Sequence, residues 1–278
     1  MKPREIRALV TGGAGGIGSA IAAELLEAGA AVLLADMNAT ALAATANRFT
    51  RFGDRAQTVV ANLADTDSRA ALCQRAIAWR VNVLVNNAGV NHFGLYEEMA
   101  IGQIAQTISV NVLAPMLLVR ELLAHLRVQP AAQILNVGSV FGCIGYPGYA
   151  AYSASKFAMR GFSEALRREL GDTRVKVHHL APRATRTPIN TSAVEQMNAE
   201  LRVAMDPPQA VARAARRLLE REGRSAVLGW PEKLFARINA LLPGVVDGAI
   251  RKQLPVIRRH AGRQQTATDP SHPRRHIA

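Results

Sequence analysis

Tyr152-Ser153-Ala154-Ser155-Lys156 places a phenol and an ammonium four residues apart. On an α-helix that spacing stacks them on one face, one turn apart. A lysine beside a tyrosine favours phenolate, because positive charge stabilises the ionised form. A phenol tuned in this way passes a proton to or from an alcohol oxygen near neutral pH, as interconversion of a hydroxyl and a carbonyl requires. Solvated helix faces also carry such pairs, so the weight of this one depends on its surroundings.

Upstream stands Thr11-Gly12-Gly13-Ala14-Gly15-Gly16-Ile17-Gly18, between an apolar run and a helical pattern. Glycines there let the backbone turn tightly and approach a pyrophosphate, and the helix start offers unpaired N–H groups to anionic oxygens. Asp36 ends the next apolar run, about 20 residues beyond the loop, where a carboxylate accepts from ribose hydroxyls and repels a 2′-phosphate. An aspartate there could also cap the following helix, a task equally suited to Asn38. Then come Asn86-Asn87-Ala88-Gly89, Asn111 and Gly138-Ser139.

In order and spacing these motifs resemble the short-chain dehydrogenase/reductase family, over roughly Arg4 to Leu228. The resemblance implies a catalytic tetrad of Asn111, Ser139, Tyr152 and Lys156. Ser139 would steady charge on the substrate oxygen. Tyr152 would act as general acid in reduction and base in oxidation. Lys156 would hold the nicotinamide ribose and lower the Tyr152 pKa, and Asn111 would hold a water in a proton relay. Gly12, Gly16, Ile17 and Gly18 match the cofactor loop. Asn62 and Leu63 fall beside the adenine, where the family commonly has aspartate in place of Asn62. Asn87, Ala88 and Gly89 line the adenine-ribose side, whereas Asn86 reads as a tie between strands. Pro182 and Thr187 fall beside the nicotinamide. Asp36, with no basic residue at Gly15 or Met37, favours NAD(H) over NADP(H). One departure stands out: Arg183 occupies the place of a usual glycine after Pro182. Either its backbone angles are ordinary or the pocket edge is reshaped, and its side chain meets a cofactor pyrophosphate, an anionic substrate or solvent.

The elements that must position these residues alternate. Strand-like runs at 6–10, 31–35, 57–61, 83–85, 133–137, 175–180 and 225–228 are separated by helical patterns at about 17–28, 40–52, 67–79, 108–126 (with Pro115 as a kink), 152–170 and 207–222. The fold class that follows is α/β: a Rossmann-like, doubly wound parallel sheet of about seven strands with helices on both faces. A catalytic domain over 1–229 is expected, then an amphipathic basic helical extension over 230–261 and a polar, disordered tail over 262–278. The family is usually dimeric or tetrameric, so a homodimer or homotetramer is expected.

The 278 residues carry a formal charge of +13. Residues 1–200 hold only +4 of it and residues 201–278 hold +9, so the excess lies outside the motif-bearing part. No basic run is interleaved with aromatics for stacking on bases, which argues against nucleic acid. No uninterrupted apolar run of membrane-spanning length and no signal-like segment is read, so the expected location is cytoplasmic. Cys73 and Cys143 read as free thiols, and no metal site is expected; His272 and His276 do not form a persuasive pair. Phe141, Cys143, Ile144, Tyr146 and Tyr149 suggest an apolar pocket for a lipid-, acyl- or steroid-like alcohol or ketone, flanked also by 188–206. In the extension, Leu234, Phe235, Ile238, Leu241 and Leu242 recur with helical spacing beside Lys233 and Arg237. Val245, Val246, Ala249, Ile250 and Leu254 follow, with Arg251, Lys252, Arg258 and Arg259 flanking them. Such basic helices suit peripheral contact with an anionic membrane, closure over the pocket, or packing on a partner subunit.

Overall fold

In the computed structural model, residues 1–268 are described, with backbone alone for 263–268. Seven short runs rich in Val, Leu and Ile form the strands Arg7–Thr11 (β1), Ala31–Asp36 (β2), Ala56–Val60 (β3), Val83–Asn86 (β4), Ala132–Val137 (β5), Val175–Ala181 (β6) and Ser225–Val227 (β7). They pair in the order β3-β2-β1-β4-β5-β6-β7, and every pairing is parallel. Strands buried on both faces need continuous apolar sequence, and β4 and β5 are buried at every position. Chain order reverses between β1 and β4, so a crevice opens there at the carboxyl edge of the sheet.

Helices Gly16–Glu27 (α1) and Ala39–Arg48 (α2) precede β3, and Thr66–Ala78 (α3) precedes β4. Asn38 caps α2 by accepting from the Ala41 N–H at 3.0 Å, and Asp65 caps α3 by accepting from Ser68 at 2.7 Å. One face of the sheet packs on α1 and on Pro208–Arg221 (α8) through Ile21, Leu25, Val211 and Leu219. The other packs through Leu72, Leu118, Leu122 and Leu166. Both cysteines are free and buried. Burial, with Glu121 beside it, pushes the Cys73 thiol up to about 12.

The crossover between β4 and β5 starts earlier than its periodicity suggests. Ile101–Ile108 (α4) runs through a π-turn, Ser109–Leu113, into Ala114–Arg127 (α5). Pro115 stands four residues after Asn111 and has no N–H for its carbonyl, so the hydrogen-bond ladder widens there. Ile101–Arg127 contains an 18-residue window of mean hydropathy 1.5 and is long and apolar enough to cross a membrane by length and composition alone. Here it is a crossover helix whose Leu118, Leu122 and Leu126 are buried against the sheet. Ala150–Glu169 (α6) carries the Tyr152 motif. Ser192–Glu200 (α7), in the stretch expected to flank substrate, is a helix that the sequence reading did not assign.

Beyond β7 come three helices rather than two: Trp230–Leu241 (α9), Pro243–Arg251 (α10) and Leu254–Thr268 (α11). The first part of the expected 262–278 tail is therefore helical backbone, and 269–278 lies outside the described residues, His272 and His276 included.

Side-chain amides join the centre of the sheet to α6. Asn86 Nδ2 donates to Asn136 Oδ1 at 2.8 Å, and Asn136 Nδ2 donates to Ser163 Oγ at 2.9 Å, all fully or nearly buried. Removing the middle member strands buried donors and acceptors. Asn136→Ala is expected to lower stability by about 1–3 kcal/mol, read as a shifted urea midpoint at unchanged slope.

Candidate active site

The loop joining β1 to α1 fits together only with glycines. Gly12 has φ +64°, and a Cβ on Gly18 would lie 2.1 Å from the Gly12 carbonyl oxygen. A Cβ on Gly16 would meet Thr187 Cγ2 at 2.8 Å, so the loop after β6 closes against the glycine loop. Helix α1 begins at Gly16, and the N–H groups of Gly16, Ile17 and Gly18 have no carbonyl one turn earlier within the helix. Thr11 Oγ1 accepts from the N–H groups of Asn87 and Ala88 at 3.0 and 3.1 Å, and Asn87 Nδ2 donates to the Thr11 carbonyl at 3.0 Å. Asn87, Ala88 and Gly89 thereby form the wall opposite the glycine loop.

Asp36 is fixed at the end of β2. Its Oδ2 accepts from the Ala14 N–H and its Oδ1 from the Asn38 N–H, both at 3.0 Å. Asn38, not Asp36, caps α2. Asn62 is exposed after β3, and its Oδ1 accepts from Ala64 at 3.1 Å, while Leu63 packs on the core edge. Pro182 follows β6, and its carbonyl accepts from the Val140 N–H at 2.9 Å, tying that strand end to the turn after Ser139.

The four residues of the expected tetrad converge at the ends of β4 and β5. The Ser139 hydroxyl lies close enough to the Tyr152 phenol to favour its ionised form, and it also accepts from the Phe141 N–H at 3.1 Å. Lys156 Nζ lies 5.5 Å from the Tyr152 ring centroid and donates to the Val137 carbonyl at 3.1 Å. A Cβ on Gly89 would lie 3.8 Å from Lys156 Nζ and 3.0 Å from Asn111 Oδ1, so the wall after β4 and the expected tetrad share one space. Asn111 sits in the π-turn. Its Oδ1 accepts from Val90 at 2.8 Å, and its Nδ2 donates to the Val90 carbonyl at 2.9 Å and to Ser155 Oγ at 3.1 Å. Ser155 Oγ donates in turn to the Tyr152 carbonyl at 2.7 Å. Both amide protons of Asn111 are thus spent on protein, leaving one lone pair on its Oδ1 for a water.

One expectation is corrected. In the chain alone the Tyr152 pKa is not lowered: burial pushes the phenol up to about 12, opposed by the Ser139 hydroxyl. The surrounding rings explain the burial. Phe141 stands edge-on to Tyr152 at 6.4 Å and stacks on Tyr146 at 4.9 Å, with Tyr149 beside them. Burial brings the Lys156 ammonium down to about 8.

Arg183 is part-buried and turned to two carboxylates rather than to the glycine loop. It is not among the residues with positive φ, so a side chain at this position carries no backbone strain. Its Nη2 donates to Asp206 Oδ1 at 2.7 Å, and its Nη1 lies 3.6 Å from Glu232 Oε2. Backbone bonds Asp206 N to Ala184 O and Arg186 N to Asp206 O, at 2.8 and 3.0 Å, close the same ring. The segment 184–206, including Thr187 and α7, is therefore pinned at its base. Its far side is held by Arg259 and His260 of α11, both on Glu200.

The sequence reading also passed over His179 of β6. Its Nε2 would be 2.2 Å from a Cβ on Gly138, so that glycine makes room for an imidazole behind Ser139. Burial, with Lys156 nearby, pushes His179 down to about 4. The adjacent histidines in an apolar strand were its only signal.

The family described as short chain dehydrogenase matches residues 7–198. Nodulation protein G of Rhizobium meliloti (strain 1021) is 40% identical over 178 residues, covering 63% of this chain and 71% of that protein. The rhamnolipids biosynthesis 3-oxoacyl-[acyl-carrier-protein] reductase of Pseudomonas aeruginosa is 36% identical over 183 residues, again 63% and 71%. A crystal structure of 3-ketoacyl-(acyl-carrier-protein) reductase from Brucella melitensis complexed with NADH aligns with a TM-score of 0.71 at 28% identity, over 77% of this chain and 90% of that one.

Two measurements test the geometry. A lysine lowered from 10.5 to about 8 on folding costs stability in full below about pH 8. The cost fades as pH rises towards 10.5, because the unfolded chain there still binds the proton that the folded chain has released. Lys156→Met should therefore gain about 3 kcal/mol relative to the parent at pH 7 compared with pH 10.5, whatever constant offset the lost Val137 contact adds. Urea titrations across that range read the difference. Arg183→Gly leaves Asp206 and Glu232 without their cation, and amide hydrogen exchange within 184–206 should accelerate about tenfold, with the sheet unchanged.

Proposed function

Because this chain belongs to the short-chain dehydrogenase family, an oxidoreductase family acting on CH–OH and keto groups, we propose that it moves a hydride between NAD(H) and a secondary alcohol or ketone on an apolar body. The observation that carries this reading is the shared space beside Gly89. Lys156 Nζ and Asn111 Oδ1 face the nucleotide-side wall there, and the Ser139 hydroxyl lies beside the Tyr152 phenol.

The residues suit a dinucleotide. Glycines 12, 16 and 18 leave a backbone surface where any Cβ would intrude, and the start of α1 offers N–H groups to a pyrophosphate. Asp36, held by two backbone N–H groups, keeps its remaining lone pairs for ribose hydroxyls. No cation stands at Gly15 or Met37 to balance a 2′-phosphate, which supports NAD(H) over NADP(H). Bound NAD(H) supplies the hydride chemistry. In reduction, the Tyr152 hydroxyl gives its proton to the oxygen that becomes the alcohol, and the Ser139 hydroxyl steadies charge on that oxygen. Lys156 holds the nicotinamide ribose, and its ammonium compensates the phenolate left behind. Asn111 fixes the segment at Val90 that faces Lys156.

An apolar substrate is supported by what surrounds Tyr152. Phe141 and Tyr149 stand edge-on to its ring, Phe93 and Tyr146 pack on those two in turn, and a cavity of about 440 Å³, lined by none of the tetrad, opens beside Tyr146 and Ser153. Asp247, Ile250 and Arg251 of α10 close its other side. The names of the Pseudomonas and Brucella proteins support acyl-like ketones as the class to try first.

Tyr152→Phe should lower kcat on a responsive ketone by at least about 100-fold while NADH affinity stays within about twofold. Asp36→Ala should lower kcat/KM with NADH about 10- to 100-fold relative to NADPH, since charge-assisted bonds to the ribose are lost. Steady-state rates with both nucleotides measure these effects. Unchanged turnover in Tyr152→Phe would overturn the proposal.

A further inference from the structure

Helix α9 is apolar on two sides, and its own fold uses only one. Its inner side packs Ala236 and Ile238 against Val140, Cys143 and Ile144, and Asn239 Nδ2 donates to the Cys143 carbonyl at 3.0 Å. The outer side repeats at i, i+4, i+7 and i+11: Trp230, Leu234, Arg237 and Leu241. Trp230 is 75% exposed and Leu241 80% exposed, and Leu242 and Val245 continue the patch into α10. Six of the 17 large hydrophobics exposed among the described residues fall within this 16-residue stretch.

The charges on these two helices have one sign to spare. Lys233, Arg237, Arg251 and Lys252 are exposed, and none makes an ion pair among the described residues. Of their two acids, Glu232 is turned inward to Arg183, leaving Asp247. A protein partner need not be uniformly acidic. A surface of anionic headgroups over hydrocarbon meets both features at once: an apolar stripe with an amphipathic tryptophan at its end, and cations beside it.

We propose that the outer face of α9 and the α9–α10 turn dock on an anionic lipid bilayer. Helix α10, which carries Val245 on this patch, also lines the cavity beside Tyr146 and Ser153, so docking brings that cavity near the acyl region. The inference stands apart from the catalytic reading, and its test does not use activity.

The chain carries its own reporter. Of its two tryptophans, Trp79 is buried beneath the Arg7 guanidinium, 4.4 Å from the ring centroid, whereas Trp230 is exposed. Full-length protein is mixed with vesicles of phosphatidylcholine alone or with phosphatidylglycerol added, and tryptophan emission and flotation are recorded. Expected are a blue shift and flotation with the anionic vesicles, and affinity about fivefold weaker for each of Lys233→Ser and Arg237→Ser. Leu234→Ser/Leu241→Ser changes two exposed residues and should abolish both signals with the fold intact by circular dichroism. Three results would overturn the proposal: no flotation with either vesicle; equal binding by the double variant; or a blue shift without lipid that tracks a doubling of mass, which would give the face to a second copy.

Discussion

A buried ammonium dictates much of this site. Lys156 is nearly enclosed, and charge so placed is tolerated only where something answers it. The Val137 carbonyl answers part, at the end of the strand that leads into Ser139. The remainder of the Nζ faces the space beside Gly89. Glycine is needed there because a side chain would fill the approach to both Lys156 and Asn111. The same cation therefore constrains the turn after β5 and the residue types after β4, while the backbone of α6 crowds Gly142, where a Cβ would lie 2.6 Å from the Lys156 carbonyl oxygen. In the protein alone, burial governs both titrating groups, holding the phenol protonated and easing the proton from the amine. A further positive charge bound beside them would favour phenolate.

Asn111 is delivered by a defect in a helix. Pro115 cannot bond back to it, the ladder widens into a π-turn, and the displaced turn aims the Asn111 amide at Val90 and Ser155. The long crossover thereby links the wall after β4 to the start of α6, the two elements whose separation sets the width of the cleft.

The departure at Arg183 and the helices past β7 belong together. An arginine in place of glycine reaches two carboxylates that are distant in sequence, one on the strand of chain before α8 and one on α9. Glu200 on α7 is held by α11 through Arg259 and His260. The extension thus braces the segment 184–206 at its base and at its far side, and α10 lines the cavity beside Tyr146. Single exposed pairs contribute little, but pairs linked through one half-buried arginine restrict the same backbone segment together.

Period and punctuation in the sequence determined the seven strands, their alternation with helices and the glycine loop, because strand burial and tight turns leave residue-type signatures within a few neighbours. Local chemistry also placed Tyr152 and Lys156 on one helix face. Other features depend on contacts between residues far apart in the chain. The clamp on Arg183 spans 49 residues to Glu232, and the fit of His179 over Gly138 spans 41. The upward shift of Tyr152 comes from rings gathered by several loops. Only the tertiary structure decides such things, since burial and pairing are properties of what surrounds a residue and not of its neighbours in sequence.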